Sequence, residues 1–219
     1  MKKNFLYIAA AAVLGFSSCV ELDRIPLEEL SDGSFWKSAT DAEMAVSDLY
    51  PSLPSIYEID DAINSDDAVH GIKWAAGNVS KGIYDPLDMG WSGSYGAIRQ
   101  ANIILSKIDE VPNYDTADKN KVLGQTYFFR AFHYFDLIRT FGDVPYIDKP
   151  LTLADQEGIT RAPRAEVYSK MMADFDKAIE YLPTTWDASN YGRITKGAAL
   201  AMKARAALYY GEWQVAADN

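Results

Sequence analysis

The side chains able to do chemistry are few, and most of the interesting ones fall in one stretch. Cysteine occurs once, at Cys19, and histidine twice, at His70 and His133. A disulfide framework and a zinc centre built on Cys/His spacing are therefore both excluded. Between Pro51 and Gly93 the chain shows no sustained period, and it carries Trp74, Tyr84 and Trp91 among carboxylates at Asp60, Asp61, Asp66, Asp67, Asp85 and Asp88. Aromatic rings flanked by carboxylate and amide groups suit a sugar, whose C–H face stacks on the ring while its hydroxyls take hydrogen bonds. Trp74 and Trp91 serve equally well as core anchors on this reading, because tryptophan is buried on average. Irregular stretches this long inside a compact domain are usually functional or disordered.

Catalysis finds less support. Glu58, Asp60, Asp61, Asp66 and Asp67 could supply the paired carboxylates of a glycosidase. Acids in a solvated run, however, give no sign of the buried, raised-pKa position that an acid catalyst needs. His133 lies inside an aromatic helix as a polar group on its stripe, and His70 has no evident partner for a triad. Asp66-Asp67 lacks the spacing of an EF-hand calcium loop, and no glycine-rich phosphate motif follows a strand. The expectation is a binding protein with no catalytic residue, no metal and no cofactor.

The elements that must carry this stretch are helical. The 219 residues hold 31 acidic and 21 basic side chains, a net charge of −10, which argues against a nucleic-acid partner. With 48% apolar and 13% aromatic residues a packed core is well supplied. Thr40 and Glu43 have capping-box spacing for a first helix, stopped by Pro51 and Pro54. Ser94 is placed to cap a second, with Ile98, Ala101, Leu105 and Ile108 at helical spacing before Pro112. From Val122 to Phe141 nearly every residue is apolar or aromatic, the mark of a central buried helix. Thr126, Arg130, His133 and Thr140 keep a narrow polar stripe on it, and Gly142 with Pro145 ends it. Pro163 suits a first helical position, ahead of a stripe of Val167, Met171, Phe175, Ile179 and Leu182, and a last helix spans about Thr195 to Tyr210. No segment alternates at period two, so the fold class is all-α.

Phe175, Ala178 and Pro183 have the spacing of the second half of a tetratricopeptide repeat, and Gly211, Trp213 and Ala216 fit a further unit, all as core residues. Thr184 to Arg193 reads as an insertion between them. The sequence thus predicts tetratricopeptide-like helix pairs with a long irregular ligand-facing loop. It stops with the last partner helix barely opened, and a helix pair cannot bury its face with one member missing. The expectation is the N-terminal part of a longer protein.

At the other end, Lys2 and Lys3 precede twelve apolar residues from Phe5 to Phe16. That is short of the roughly 20 needed to span a bilayer and fits the core of a secretory signal. Phe16-Ser17-Ser18-Cys19 resembles a bacterial lipoprotein signal, in which the cysteine becomes the lipidated first residue, and multiple acyl chains anchor stably. The expected boundaries are a signal over 1–18, a tether over 19–34 and a helical domain over 35–219. Glu21 and Asp23 look like the acidic surface-export tag of Bacteroidetes-type lipoproteins.

The chain as a whole resembles the SusD/RagB group of outer-membrane nutrient-uptake lipoproteins. The resemblance runs in order through Leu22-Asp23-Arg24-Ile25-Pro26, Phe35-Trp36, then Trp91 and Tyr95 through Ala101-Asn102. It continues through Gly124 to Arg130-Ala131, Tyr134-Phe135-Asp136-Leu137 and Phe141-Gly142-Asp143-Val144-Pro145, and closes with Leu182-Pro183, Gly192-Arg193 and Lys196-Gly197-Ala198-Ala199. It implies a lipid-anchored protein on the outer face of the outer membrane that sits over a TonB-dependent, SusC-like transporter and captures oligosaccharides or similar nutrients without a chemical step. In that family part of the ligand site precedes the Ala101-Asn102 helix, so Trp74, Asn78, Tyr84 and Trp91 are the positional candidates for ligand contacts. A role as a helical-repeat scaffold for protein partners within the transporter complex stands as the alternative.

Overall fold

The computed structural model describes residues 35–54, 82 and 91–219. Helix α1, Ala39–Ser47, starts behind Trp36, whose backbone is left-handed at φ 66° and whose side chain is buried. The capping box is Ser38/Asp41 rather than the expected Thr40/Glu43: Ser38 Oγ accepts from the Asp41 amide at 3.3 Å, and the Asp41 carboxylate accepts from the Ser38 amide at 2.8 Å. The same carboxylate also takes the Lys37 amide at 2.9 Å, a second orphan donor. That double capture moves the start two residues upstream of the predicted box. A 3-10 turn over Tyr50–Ser52 follows.

Helix α2 runs Trp91–Lys107 and continues as a 3-10 turn, Ile108–Glu110. Ser94, expected as its cap, is instead buried within the first turn. The helix therefore begins four residues before the predicted start, where Trp91 packs against Tyr95 and Phe141, a contribution that cap chemistry alone does not capture. Helix α3, Thr116–Phe141, starts six residues before the predicted Val122 because Asp115 caps it, accepting from Ala117 and Asp118 amides at 2.8 and 3.2 Å. Its first turn and a half is polar and so invisible to apolar periodicity. Gly142, at φ 74°, ends it as expected.

Helix α4 is Arg164–Tyr181, with Pro163 at the cap itself, one position before the expected one, and the Arg164 amide held by Asp143 Oδ1 at 2.8 Å. Thr195 caps α5, Lys196–Tyr209, and a six-residue α6, Trp213–Asp218, follows the turn at Gly211. No strand occurs among the described residues, which carry one isolated bridge between Val144 and Ala162. The fold is all-α with tetratricopeptide-like helix pairs, as expected.

Helix α3 is the axis of the domain, flanked by α2 and α4. Phe129, Tyr134, Leu137 and Ile138 are buried on it, facing Ile98 and Ile104 of α2 and Val167, Met171 and Phe175 of α4. Phe175 meets Phe128 edge-on at 6.1 Å, and Ala178 is fully buried behind it, the packing that the repeat spacing implied. Trp213, expected in the core, is 69% exposed. Helix α6 rests chiefly on α5, so it offers that ring no second wall.

The polar stripe of α3 is an internal seam. Arg130 and Asp174 of α4 are both buried and joined by a two-pronged pair, Nε to Oδ2 and Nη2 to Oδ1, each 2.7 Å. Arg130 Nη1 also reaches Asn102 Oδ1 of α2 at 2.9 Å, so one guanidinium ties three helices. Burial works against the Arg130 charge, but the Asp174 carboxylate more than offsets this and its pKa lies above the ordinary guanidinium value. Thr126 closes on the Val122 carbonyl of its own helix at 2.8 Å.

Two substitutions test this packing. A Cβ at Gly124 would sit 2.9 Å from Leu182 Cγ and 3.1 Å from the Leu182 backbone nitrogen, where backbone cannot yield. Gly124→Ala is therefore expected to destabilise by about 1–3 kcal/mol in urea unfolding, although alanine is the better helix former by about 1 kcal/mol. Asp174→Ala should cost about 3–5 kcal/mol by leaving the guanidinium buried and unpaired, with most of that loss recovered in Arg130→Met/Asp174→Leu. A single substitution as mild as the double one would refute the pair's role.

Candidate functional site

The predicted ligand contacts Trp74, Asn78 and Tyr84, and the predicted lipidation site Cys19, lie outside the described residues. Trp91 lies within them. Its ring meets Phe141 edge-on at 4.9 Å and Tyr95 at 5.0 Å and 50°. It is half-buried, so it anchors the re-entry of the chain into the framework whatever else it touches.

The described residues on either side of 55–90 form two stems. On the outgoing stem Ser52 Oγ donates to the Leu49 carbonyl at 2.6 Å and lies 2.8 Å from His133 Nε2. A hydroxyl has one proton to give, so with that proton on Leu49 the imidazole is the donor and carries its hydrogen on Nε2. Burial pushes His133 down to about 4, opposed weakly by Asp136. Two residues earlier Tyr50 donates to Gln125 Oε1 at 2.6 Å, accepts from the Ile194 amide at 3.0 Å and sets its ring edge-on to Phe129 at 5.0 Å. On the incoming stem Trp91 rests on Phe141. His133 and Phe141 both belong to α3, eight residues apart and hence about 12 Å along its axis. One rigid helix spaces both attachments.

A third segment is held against the same helix. Tyr134 OH donates to the Ile147 carbonyl at 2.9 Å and accepts from the Ile147 amide at 2.7 Å. Asn102 Nδ2 donates to that carbonyl at 2.8 Å, and Tyr95 OH to the Pro145 carbonyl at 2.7 Å. Burial raises both phenols above the ordinary tyrosine value, keeping them protonated as donors. Asn102 thus relays Arg130 to residue 147, and the strap after α3 is fixed to α2 and α3 together. Tyr146 stacks on Tyr134 at 4.9 Å with Lys170 Nζ 4.3 Å above its ring, and burial pushes its phenol up to about 12.

His133 and Asp174 are both engaged in structural bonds. Among the described residues no three His, Cys, Asp or Glu side chains gather as a metal site, and no helix is long and apolar enough to cross a membrane. One open groove of about 460 Å³ is lined by Thr40, Glu43, Met44, Ser47, Asp48 and Arg193. Another, of about 530 Å³ between α4 and the α5–α6 turn, is walled by Tyr168 and Tyr210, stacked at 3.9 Å. Tyr50, Gln125, Asp174 and Arg193 were not singled out from sequence for these roles. The available signal was Arg130 within an apolar run, which demands a buried acid somewhere, but not where.

The residues on either side of 55–90 thus both rest on α3, within a framework of tetratricopeptide-like helix pairs. Residues 34–208 match the SusD-like family, described as starch-binding and associating with the outer membrane, and the chain belongs to that family. SusD-like protein P2 of Formosa agariphila is 30% identical over 99% of this chain and 45% of its own length. A SusD-like protein from Bacteroides fragilis has a crystal structure matching with TM-score 0.77 at 29% identity, over 88% of this chain and 39% of that one. A laminarin-binding SusD-like protein matches with TM-score 0.73 at 28% identity, over 83% and 42%. This chain spans less than half the length of these relatives.

The His133 stem has a pH signature. Its folded pKa lies below the ordinary 6.5, so the stability it confers is present above about 6.5 and is lost as pH falls toward about 4. From this group the domain is expected to be about 2 kcal/mol less stable at pH 5 than at pH 7, with His133→Gln removing that slope. Equal slopes in urea titrations of the two proteins would refute it.

Proposed function

We propose that this chain is the N-terminal portion of an outer-membrane lipoprotein, anchored through Cys19 and facing the exterior, which captures oligosaccharides or glycans and passes them to a TonB-dependent, SusC-like transporter. The family match over residues 34–208 carries this reading, and the likeness to a laminarin-binding protein supports the ligand class. On this reading residues 1–18 are the signal, 19–34 the tether and 35–219 the helical domain. Trp74 and Tyr84 stack on sugar faces, Asn78 hydrogen-bonds hydroxyls, and Trp91 both supports and flanks them. The protein performs no chemical step and uses no cofactor, since recognition requires only shape, stacking and hydrogen bonding.

A scaffold role within the transporter complex draws on a different observation. Leu208, Tyr209 and Trp213 are all at least half exposed around the α5–α6 turn, a cluster of the kind that marks protein contacts.

The deciding experiment is affinity electrophoresis of the whole gene product carrying Cys19→Ala in gels containing laminarin, soluble starch or other soluble polysaccharides. One polymer is expected to retard the wild-type protein, and Trp74→Ala and Tyr84→Ala are each expected to weaken that retardation by about tenfold or more. A folded sample that no polymer retards would overturn the carbohydrate reading. Normal retardation of both variants would overturn the residue assignment alone.

A further inference from the structure

The connection between α4 and α5 is more heavily braced than a linker requires. Its base is closed twice, by the Lys196 amide on the Pro183 carbonyl at 2.9 Å and by Trp186 Nε1 on the Ile194 carbonyl at 2.8 Å. Its crest is a 3-10 turn, Ala188–Asn190, in which the Asp187 carboxylate takes the Asn190 amide at 3.0 Å and the Ser189 hydroxyl at 2.6 Å. Gly192, at φ 93°, then reverses the chain in a conformation that side chains resist. Arg193 turns inward, 3.3 Å from Gln125 Oε1 and 3.4 Å from Ser47 Oγ, and its guanidinium lies over the Trp186 ring at 5.9 Å. The Ile194 amide is held by Tyr50. The connection is thus tied down on both sides of Tyr191, while Tyr191 itself is 93% exposed, the most exposed large apolar side chain among the described residues.

From this we infer a second glycan-contacting surface on the α4–α5 connection, with Tyr191 as a stacking platform for a pyranose ring and Asn190 and Asp187 as hydrogen-bonding partners for its hydroxyls. The inference rests on the carbohydrate reading above and extends it to a place outside the 55–90 stretch. A braced backbone spares the connection the cost of ordering when a sugar stacks on Tyr191, leaving only the two torsions of that side chain to settle. The surroundings choose the ligand class. Thr184, Thr185, Asp187, Ser189 and Gly192 are all exposed on the same connection, so Tyr191 projects from a hydrated, polar segment. A protein hot spot needs neighbouring contacts that exclude water. A saccharide, which keeps most of its hydroxyls wet, needs only an apolar face and polar groups at the edge. Asn190 donates through its amide nitrogen to Asp187 and Ser189, which leaves its carbonyl oxygen as an acceptor for a ligand hydroxyl.

A long polymer would reach both surfaces, whereas a short oligosaccharide would occupy the main one. The test compares wild type, Tyr191→Ala and Tyr191→Phe, all carrying Cys19→Ala, in gels of the polymer that retards the wild type, with calorimetry on a short oligosaccharide of the same glycan. Tyr191→Ala is expected to weaken polymer retardation by about fivefold while oligosaccharide affinity and melting temperature stay at wild-type values, and Tyr191→Phe is expected to keep retardation. Equal retardation of wild type and Tyr191→Ala, with Trp74→Ala impaired, would overturn the second surface and leave the main reading standing. An equal loss for polymer and oligosaccharide would also overturn it, because Tyr191 would then belong to the main site. A wild-type protein that no polymer retards would overturn both.

Discussion

The ion pair between Arg130 and Asp174 is the constraint on which the rest of the domain depends. Taking either charge out of water alone costs several kcal/mol, so the sequence can hold an arginine in the middle of its most apolar helix only if α4 presents a carboxylate at that depth and angle. The two-pronged geometry fixes the rotation of α4 about its own axis as well as its distance from α3. Once that rotation is set, Val167, Met171, Phe175 and Ala178 have one way to face α3. The third contact, to Asn102, extends the same specification to α2. Apolar packing would hold these helices together in several registers of similar energy. The charged seam selects one.

From that seam the polar bonds spread outward in a chain. Asn102 passes the guanidinium's orientation to Ile147, Tyr134 clamps the same residue from both its backbone groups, and Tyr95 takes Pro145. Residues 143–147 have no regular partner beyond the Val144–Ala162 bridge, so these side chains supply the partners that the half-buried backbone groups of residues 145 and 147 need. Tyrosine is suited to this task, since its ring fills the core while its hydroxyl reaches the strap. Several short runs that carry the family resemblance, around Asn102, Arg130, Tyr134 and Pro145, are members of this one network.

How much of this could be seen in the sequence follows from the range of the interactions. The helices were legible because they are local: the apolar run to Phe141, the glycine after it and the stripe from Val167 to Leu182 each carry their own period. Helix starts were less so, because Ser38/Asp41 and Thr40/Glu43 are both sound capping patterns, and the choice was made by an aspartate close enough to hold two amides. Asp115 was missed because the turn that it caps is polar. The Arg130–Asp174 pair spans 44 residues and the Tyr50–Ile194 bond 144, and nothing in local spacing announces either. The exposure of Trp213 has the same origin, since repeat spacing says which face a residue occupies but not whether a second helix covers it. Of the candidate ligand residues Trp91 lies among the described residues, in contact with Tyr95 and Phe141.

The division of labour that emerges has a physical basis. Stacking and hydrogen bonding to a hydrated sugar yield modest energies per contact, so discrimination between glycans comes from holding several weak contacts in a fixed arrangement rather than from any strong one. For a ligand bound between residues 54 and 91, as proposed, that arrangement has to be referred to the framework on either side. Here it is borrowed from α3: the outgoing stem is tied through Ser52 to His133 and through Tyr50 to Gln125 and Phe129, and the incoming stem rests on Phe141, all on one continuous helix. That helix is in turn locked by the buried charge pair.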